Sequence, residues 1–273
     1  MTFPLIKIVC KVPFLKRLLS VKTYFICPKG RTVFAVIEKA GTESLRLVIM
    51  REEGIQDPHL IWDAKFSPFL VPLPKRYLLK YTYVAIVRNP YFRLVSGFLD
   101  KFCTGSYRLL DFCELFRSYY RKDIHDNDRI TFEEFVSLLV RLQPETLDDH
   151  FKPQTLMFDR TSNTEIFKLE NARAIADRLH SLSFVHGFDN YRNSHLYTWK
   201  KVSIPNAWQL KYREFDIAEK RNKGEYPEGA DGLGFQGAVV PFYGDFYNPE
   251  LKSMVYNYYR MDFEQLGYSS EIG

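Results

Sequence analysis

The chain has few cysteines, and their spacing excludes two common kinds of site. The four cysteines among the 273 residues are Cys10, Cys27, Cys103 and Cys113, and no two of them form a C-x-x-C pair. This spacing indicates neither a zinc site nor a disulfide framework, because both need closely or regularly spaced cysteines. Reduced cysteines in a cytosolic protein are the simpler interpretation.

The sequence also lacks a long uncharged apolar run near its start. Residues Phe3–Leu19 are apolar, but four basic residues interrupt them: Lys7, Lys11, Lys16 and Arg17. That charge is too high for a membrane span or a signal peptide. We favour a first strand or helix packed on the body of the protein, and the alternative is a basic amphipathic segment within residues 1–25 that contacts a membrane surface. The expected location is cytoplasmic, with peripheral membrane contact as the alternative.

No long tract of Lys or Arg is present, which argues against a nucleic-acid partner. The formal net charge of +5 is mildly basic and suits an anionic ligand or an acidic glycan. Hydrophobic residues make up 46% and charged residues 26% of the chain, as is typical of soluble globular proteins. A chain of this length is compatible with one domain, so we expect a single domain over residues 1–273.

A strand followed by a helix is predicted between Val84 and Lys101. The run Val84–Val87 suits a buried parallel strand, and apolar residues recur at helical spacing after Asn89 and Pro90. Arg88 therefore lies at the carboxyl end of a strand, where open α/β sheets bind ligands, and Ser96 lies on the next helix. Both side chains can hydrogen-bond a phosphate. The alternative is an Arg in a surface ion pair and a Ser on a helix face.

A second strand, loop and helix precede this one. Residues Thr32–Ile37 are strand-like, a small-residue loop spans Lys39–Ser44, and a helical pattern begins at Leu45. Backbone N–H groups and the positive end of a helix dipole make such a loop an anion site. The loop is neither a Walker A loop nor a dinucleotide fingerprint, because G-x-x-x-x-G-K-[ST] and G-x-G-x-x-G are both absent.

Taken together, the two stretches resemble the carbohydrate sulfotransferases that use 3'-phosphoadenosine-5'-phosphosulfate (PAPS), namely the Golgi-type family and its bacterial relatives. The family's Pro-Lys-x-Gly-(Thr/Ser/Cys)-x-Ser/Asn loop corresponds to Lys39–Ser44, and its Arg-x-Pro-(Tyr/Phe)-x-Arg-Leu-x-Ser segment corresponds to Arg88–Ser96. Asp148–Gln154 resembles the Asp/Glu-His-Trp-x-Pro segment, and Tyr256–Tyr268 resembles the closing Tyr-x-x-Asp-Phe-x-x-Phe-Gly-Tyr. The resemblance runs in order from Lys39 to Tyr268.

This resemblance implies an α/β fold, with a central parallel sheet flanked by helices, of the P-loop-NTPase-like sulfotransferase type. It implies PAPS as the co-substrate without a metal, and a carbohydrate or glycoconjugate hydroxyl as the acceptor. The Golgi enzymes carry an amino-terminal membrane anchor, which we do not expect here, and this expectation favours a bacterial source. Arg88 and Ser96 would hold the 3'-phosphate. Six residues would hold the 5'-phosphosulfate: Lys39, Ala40, Gly41, Thr42, Glu43 and Ser44.

For catalysis, Lys39 is the candidate cation beside the leaving oxygen and His150 is the candidate base for the acceptor hydroxyl. Glu43 is the second candidate base, although its carboxylate would repel the phosphosulfate unless it points away. The chain departs from the family pattern at three positions: Glu38 for Pro, Phe151 for Trp, and Met157 where animal enzymes often have Cys. None of these changes removes a chemical group that the reaction needs.

Two other classes of function stay open at this stage. A kinase-like phosphotransferase would share the strand–loop–helix layout but would need magnesium and a complete P-loop. A non-catalytic nucleotide- or glycan-binding relative would keep the fold and turn nothing over. Whether the chain is a sulfotransferase or a non-catalytic relative of one, we expect loops such as Asp57–Pro74 and Asn222–Gly237 to shape the pocket for the acceptor or glycan.

Residues Asp123–Glu134 place polar side chains at several EF-hand positions. However, Asp128 occupies the position that needs Gly, and His125 is a poor calcium ligand. Thr131 and Glu134 are better interpreted as a capping box that opens a helix at Phe132. The other histidines form no ligand spacing, so no metal site is predicted.

Overall fold

The computed structural model describes residues 22–27, 31–55, 70–73, 75–103, 130–185, 200–209, 211–212 and 239–272. The chain divides into two compact units, of which the first contains residues 1–88 and 153–194 and the second contains residues 89–152 and 195–273. The single domain over residues 1–273 stays a prediction.

The described strands are, in chain order, β1 Lys22–Cys27, β2 Thr32–Ala35, β3 Leu70–Leu73, β4 Thr82–Val87, β5 Ile130–Thr131, β6 Thr164–Lys168, β7 Lys200–Val202, β8 Lys211–Tyr212 and β9 Val239–Pro241. The described α-helices are α1 Thr42–Glu52, α2 Lys75–Leu78, α3 Pro90–Phe98, α4 Phe132–Leu139, α5 Ala172–Ser181, α6 Pro249–Tyr258 and α7 Arg260–Leu266. A π-helix, Leu99–Cys103, directly continues α3.

The first unit is built on a five-stranded sheet in the order β3-β1-β2-β4-β6. Strands β2, β4 and β6 are parallel, with Tyr83 opposite Thr164 and Val87 opposite Lys168. Strand β1 is antiparallel to both β2 and β3, so the sheet is mixed. The few residues between β1 and β2 allow only a hairpin, because a parallel pair needs a long crossover. The α/β prediction is confirmed, and the parallel part of the sheet consists of β2 and β4, which precede the two motifs, and of β6.

Helices α1 and α5 supply much of the apolar core of this unit. Leu45, Val48 and Ile49 on α1 are buried with Val84 and Ile86 of β4 in one cluster. The helical pattern that the sequence shows from Leu45 onward is therefore the face of α1 that contacts the sheet. The helix itself begins earlier, at Thr42.

The second unit has a core rich in aromatic side chains. Phe98 at the end of α3 lies 5.2 Å from both Phe132 and Phe135 of α4, between ring centroids, and Phe246 lies 5.3 Å from Phe132. Strands β5 and β8 pair antiparallel, and β7 and β9 pair parallel. The many Phe and Tyr residues of the chain here fill a helix-rich core.

The capping box at Thr131 is confirmed. The Thr131 hydroxyl accepts a hydrogen bond from the Glu134 N–H at 3.0 Å, and the Glu134 carboxylate accepts from the Thr131 N–H at 2.9 Å. The rest of the EF-hand-like stretch lies outside the described residues. Two helices close the described part of the chain, α6 and α7, and they are separated at Tyr259.

One expectation about loops needs correction. Leu70–Leu73 was expected to be irregular, but it forms β3 at the edge of the sheet, where a Pro that lacks an N–H is tolerated. Residues 56–69 and 213–238, which hold most of the two predicted acceptor loops, lie outside the described residues, as do residues 1–21. Residues 22–25 belong to β1. Among the helices that are described, none has the length and apolar character needed to cross a membrane.

Candidate active site

The loop Lys39–Ser44 in the first unit is shaped by its backbone conformation and by hydrogen bonds to Ile37. Lys39 and Gly41 both have positive φ, at 64° and 82°, a conformation that Gly adopts without strain and Lys does not. The buried Thr42 hydroxyl donates a 2.5 Å hydrogen bond to the carbonyl of Ile37, and the Ala40 N–H donates to the same carbonyl at 3.2 Å. These bonds close the loop directly after β2, as an anion-binding turn requires.

The start of α1 lacks the side-chain cap that four other helices in the described part of the chain have. Asn89, Thr131, Asn171 and Asn248 each cap their helices with a side-chain oxygen. Gly41, by contrast, precedes α1 with no side-chain hydrogen bond. The N–H groups of the first turn and the positive helix dipole are the groups that bind phosphate at such a position.

Arg88, at the end of β4, contacts the loop directly. Its guanidinium donates a hydrogen bond to the carbonyl oxygen of Lys39 at 3.2 Å, although 49 residues separate the two in sequence. Within the first unit, the structure thus brings Arg88 and the loop together at the carboxyl ends of β4 and β2. This is the edge at which an open α/β sheet binds its ligand.

Gln154 fixes the backbone of Arg88. Its side-chain oxygen accepts from the Arg88 N–H, and its side-chain N–H donates to the Arg88 carbonyl, both at 2.8 Å. Gln154 is fully buried, so both bonds are shielded from water. Sequence reasoning assigned it no role, although it closes the Asp148–Gln154 segment that carried part of the resemblance.

Two acidic residues lie beside the loop. Glu38, which stands where the family usually has Pro, forms an ion pair with Arg46 of α1 at 3.5 Å. Glu43 is half-buried in the first turn of α1, where the helix dipole favours a carboxylate. Its role as a second candidate base stays a prediction.

In the second unit, Ser96 on α3 and the segment that carries His150 lie close together. We call Asp148–Lys152 the base segment. Gly97, the neighbour of Ser96, contacts it so closely that a Cβ at this position would lie 3.3 Å from the carbonyl oxygen of His150 and 2.8 Å from Cε1 of Phe151. Both predicted residues of this unit therefore lie on segments in direct contact.

His150 is held by Asp148. Its Nδ1 lies 2.5 Å from Oδ1 of Asp148, and its backbone N–H donates to the same oxygen at 2.9 Å. A carboxylate at Nδ1 keeps the proton there, so Nε2 is left as the proton acceptor of the neutral imidazole. This is the arrangement that a general base requires, and sequence reasoning did not give Asp148 its orienting role.

The carboxylate of Asp148 is stabilised in its charged form. Burial acts to raise its pKa, but hydrogen bonds from the His150 side chain and backbone, with the positive charge of buried Lys101, outweigh burial and lower the pKa below its ordinary value. The lowered pKa stabilises the fold at pH values above the ordinary carboxyl pKa, and this contribution is lost as the pH falls through the lowered value.

Two buried side chains hold the rest of the base segment. The guanidinium of Arg93, 2% exposed, donates to the carbonyl oxygens of Asp149 at 2.7 Å and Lys152 at 2.8 Å. The hydroxyl of Tyr259 donates to the carbonyl of Phe151 at 2.6 Å. Burial raises the pKa of Tyr259 well above its ordinary value, so the hydroxyl remains a donor. Neither residue was singled out from the sequence, although Arg93 lies within the Arg88–Ser96 motif.

The described residues contain no group of three or more His, Cys, Asp or Glu that could hold a metal ion. The chemistry that these residues themselves offer is that of a cationic, N–H-rich anion loop in one unit and an oriented imidazole in the other.

Comparison with known proteins agrees with this geometry. The model of the Sulfotransferase family matches residues 22–269, which covers most of the chain and all of the segments described above. Searches of curated proteins and of solved structures returned no match. The family match confirms the resemblance to family 2, the carbohydrate sulfotransferases. The chain therefore belongs to the sulfotransferase family.

Proposed function

We propose that the chain transfers a sulfonate group from PAPS to a hydroxyl of a carbohydrate or glycoconjugate acceptor. Membership of the sulfotransferase family supports the reaction class. The observation that most supports PAPS as the donor is the hydrogen bond from the Arg88 guanidinium to the loop Lys39–Ser44. In the first unit, one guanidinium binds the carbonyl of Lys39, and Gln154 binds the backbone of that same arginine. A nucleotide with phosphates at both its 5' and 3' positions needs two anion contacts held at a fixed separation.

The loop residues Lys39–Ser44 would hold the 5'-phosphosulfate. The uncapped start of α1 offers main-chain N–H donors and a positive dipole, and the Lys39 ammonium adds a full charge. Arg88 and Ser96 would hold the 3'-phosphate through guanidinium and hydroxyl hydrogen bonds. Arg88 is suited to this because a planar guanidinium fork matches the geometry of a phosphate group.

In the reaction, the acceptor oxygen forms a bond to sulfur while the bond between sulfur and the 5'-phosphate oxygen breaks. His150 Nε2 takes the proton of the acceptor hydroxyl, and Asp148 stabilises the imidazolium that forms. Lys39 stabilises the negative charge that develops on the leaving phosphate oxygen. The products are the sulfate ester and adenosine 3',5'-bisphosphate.

Nucleotide binding is the first test, and isothermal titration calorimetry without divalent metal measures it. We expect tight binding of adenosine 3',5'-bisphosphate and much weaker binding of 5'-AMP, because AMP lacks the phosphate that Arg88 and Ser96 would contact. An equal affinity for the two nucleotides would contradict the assignment of a 3'-phosphate site.

Turnover distinguishes the enzyme from a non-catalytic relative. The protein is incubated with PAPS, EDTA and a panel of defined neutral and uronic-acid-containing oligosaccharides, and release of adenosine 3',5'-bisphosphate is measured by chromatography. We expect acceptor-dependent release in EDTA. Binding of the nucleotide without release in any acceptor mixture would favour the nucleotide- or glycan-binding alternative. Magnesium-dependent phosphoryl transfer from ATP, with no release from PAPS, would favour a phosphotransferase.

A further inference from the structure

One face of α3 holds the base segment in the second unit. Arg93 and Gly97 are four residues apart on this helix and therefore lie on the same face. The Arg93 guanidinium donates to the carbonyls of Asp149 and Lys152, and Gly97 contacts the His150 carbonyl and the Phe151 ring. The backbone on both sides of His150 is thus fixed from a single element.

We propose that Gly97 and Arg93 are positioning residues for His150. This inference rests on the proposed function, in which His150 is the base and Ser96 contacts the 3'-phosphate. Ser96 lies on α3 beside Gly97, so the helix that contacts the nucleotide also determines where the imidazole stands. Binding of the nucleotide and placement of the proton acceptor then depend on one rigid helix.

The contact at Gly97 leaves no room for a side chain. A Cβ would lie 2.8 Å from Cε1 of Phe151, closer than carbon atoms pack in protein interiors. The Phe151 ring is itself buried, with its centroid 5.0 Å from that of Phe135, and its carbonyl accepts the Tyr259 hydrogen bond. Because the ring is enclosed, a methyl group at position 97 has to displace the base segment.

Arg93 fixes the same segment by hydrogen bonding. Its guanidinium is 2% exposed and reaches two carbonyl oxygens that are three residues apart. A lysine carries one ammonium at a single point and does not reproduce the planar fork. The position of the carbonyls of Asp149 and Lys152 therefore depends on arginine specifically.

The test compares Gly97→Ala with Gly244→Ala. Both are glycine-to-alanine changes in the second unit, but a Cβ at Gly244 meets only Ile272, at an ordinary 3.7 Å. Alanine is the better helix former, so helix propensity alone predicts no loss for Gly97→Ala. Imidazole ¹⁵N and Nδ1–H NMR signals of His150, assigned by comparison with His150→Gln, report its hydrogen bond to Asp148.

We expect Gly97→Ala to shift or abolish the His150 Nδ1–H signal and Gly244→Ala to leave it unchanged. Affinity for adenosine 3',5'-bisphosphate should stay within about twofold in both variants. Neither change removes a group proposed to contact the nucleotide, and effects between sites that do not interact are usually of that size. On the best acceptor from the oligosaccharide panel, kcat of Gly97→Ala should fall about 10- to 100-fold, the cost of misplacing a catalytic group. Arg93→Lys should produce the same pattern.

Rescue separates positioning from a general structural defect. Phe151→Leu replaces the opposing ring with a shorter side chain that lacks Cε1, the atom with which the new methyl group clashes most. The change should therefore reduce the effect of Gly97→Ala on the His150 signal. If Gly97→Ala alone does not fold, Phe151→Leu and the double variant supply the same comparison. An unchanged His150 signal in Gly97→Ala would overturn the proposal. Failure of the unmodified protein to bind the bisphosphate would refute the proposed function instead, and the NMR comparison would still decide the positioning role.

Discussion

The loop Lys39–Ser44 and the base segment Asp148–Lys152 are held in different ways. The loop is shaped mainly by contacts between neighbours in the chain, through positive φ at Lys39 and Gly41 and a short hydrogen bond from the Thr42 hydroxyl to Ile37, and Arg88 adds one distant contact. The base segment is held by side chains from far along the chain, because Arg93 is 56 residues from Asp149 and Tyr259 is 108 residues from Phe151.

This difference suits two different tasks. A loop closed mainly by local contacts can direct N–H groups and a cationic side chain toward a large anion. A segment fixed by buried hydrogen bonds can hold one imidazole in one orientation, as proton transfer requires. Substitutions in the loop should therefore change both nucleotide affinity and turnover, whereas substitutions in the base segment should change turnover alone.

The largest expected effect is on the base itself. His150→Gln keeps a polar side chain but removes the proton acceptor, and we expect kcat to fall about 10²- to 10⁴-fold, the usual range for a general base. Affinity for adenosine 3',5'-bisphosphate, measured by calorimetry, should not change. His180→Gln, at an exposed position on α5, is the matched control. Full turnover in His150→Gln would exclude His150 as the base and favour Glu43.

Lys39→Met should have the next largest effect. The change keeps the length of the side chain and removes its charge, so kcat should fall about 10²- to 10³-fold, as for removal of one electrostatic contact to the transition state. Unlike the change at His150, it should also weaken bisphosphate binding. Lys80→Met, an exposed lysine of the same unit that lies over the Tyr77 ring, is the control. If Lys39→Met lowered kcat but left bisphosphate affinity unchanged, the loop and the base segment would not differ in their contribution to nucleotide binding.

The sequence predicted the locally determined parts of the molecule well. Strand β4, the position of Arg88 at its end and the helix after Asn89 follow from residues that are neighbours in the chain. The same is true of the capping box at Thr131, whose two partners are three residues apart. In each case the side-chain pattern and the local hydrogen bonds agree, so no tertiary information is needed.

The parts that could not be predicted depend on contacts between distant residues. Gln154 binds the backbone of Arg88 across 66 residues, and nothing in either local sequence identifies the partner. Arg93 falls within a recognised motif, yet its burial beneath the base segment follows only from the packing of the second unit. The break between α6 and α7 at Tyr259 is of the same kind, since neither Gly nor Pro marks it in the sequence.

A smaller effect is expected at the position that connects the loop to β4. Arg88→Ala should weaken bisphosphate binding by about 1.5–3 kcal/mol, the range for a hydrogen bond to a charged group. Arg88→Lys keeps the charge without the fork and should lie between Ala and the unmodified protein. Calorimetry with 5'-AMP provides the control, because AMP affinity should change less than bisphosphate affinity. An equal loss of affinity for both nucleotides would indicate that Arg88 contacts the 5'-phosphate and not the 3'-phosphate.

The smallest effect comes from two adjacent tyrosines that make the same kind of bond. The Tyr259 hydroxyl donates to the Phe151 carbonyl within the base segment, and the Tyr258 hydroxyl donates to the Leu142 carbonyl outside it, at 2.8 Å. Each change to Phe should lower the free energy of unfolding by about 1 kcal/mol, as for one hydrogen bond. Only Tyr259→Phe should also lower kcat, because only that bond restrains the segment beside His150. Chemical denaturation and turnover measured on the same preparations decide the point: equal loss of turnover in both variants would mean that general stability, rather than restraint of the base segment, sets the rate.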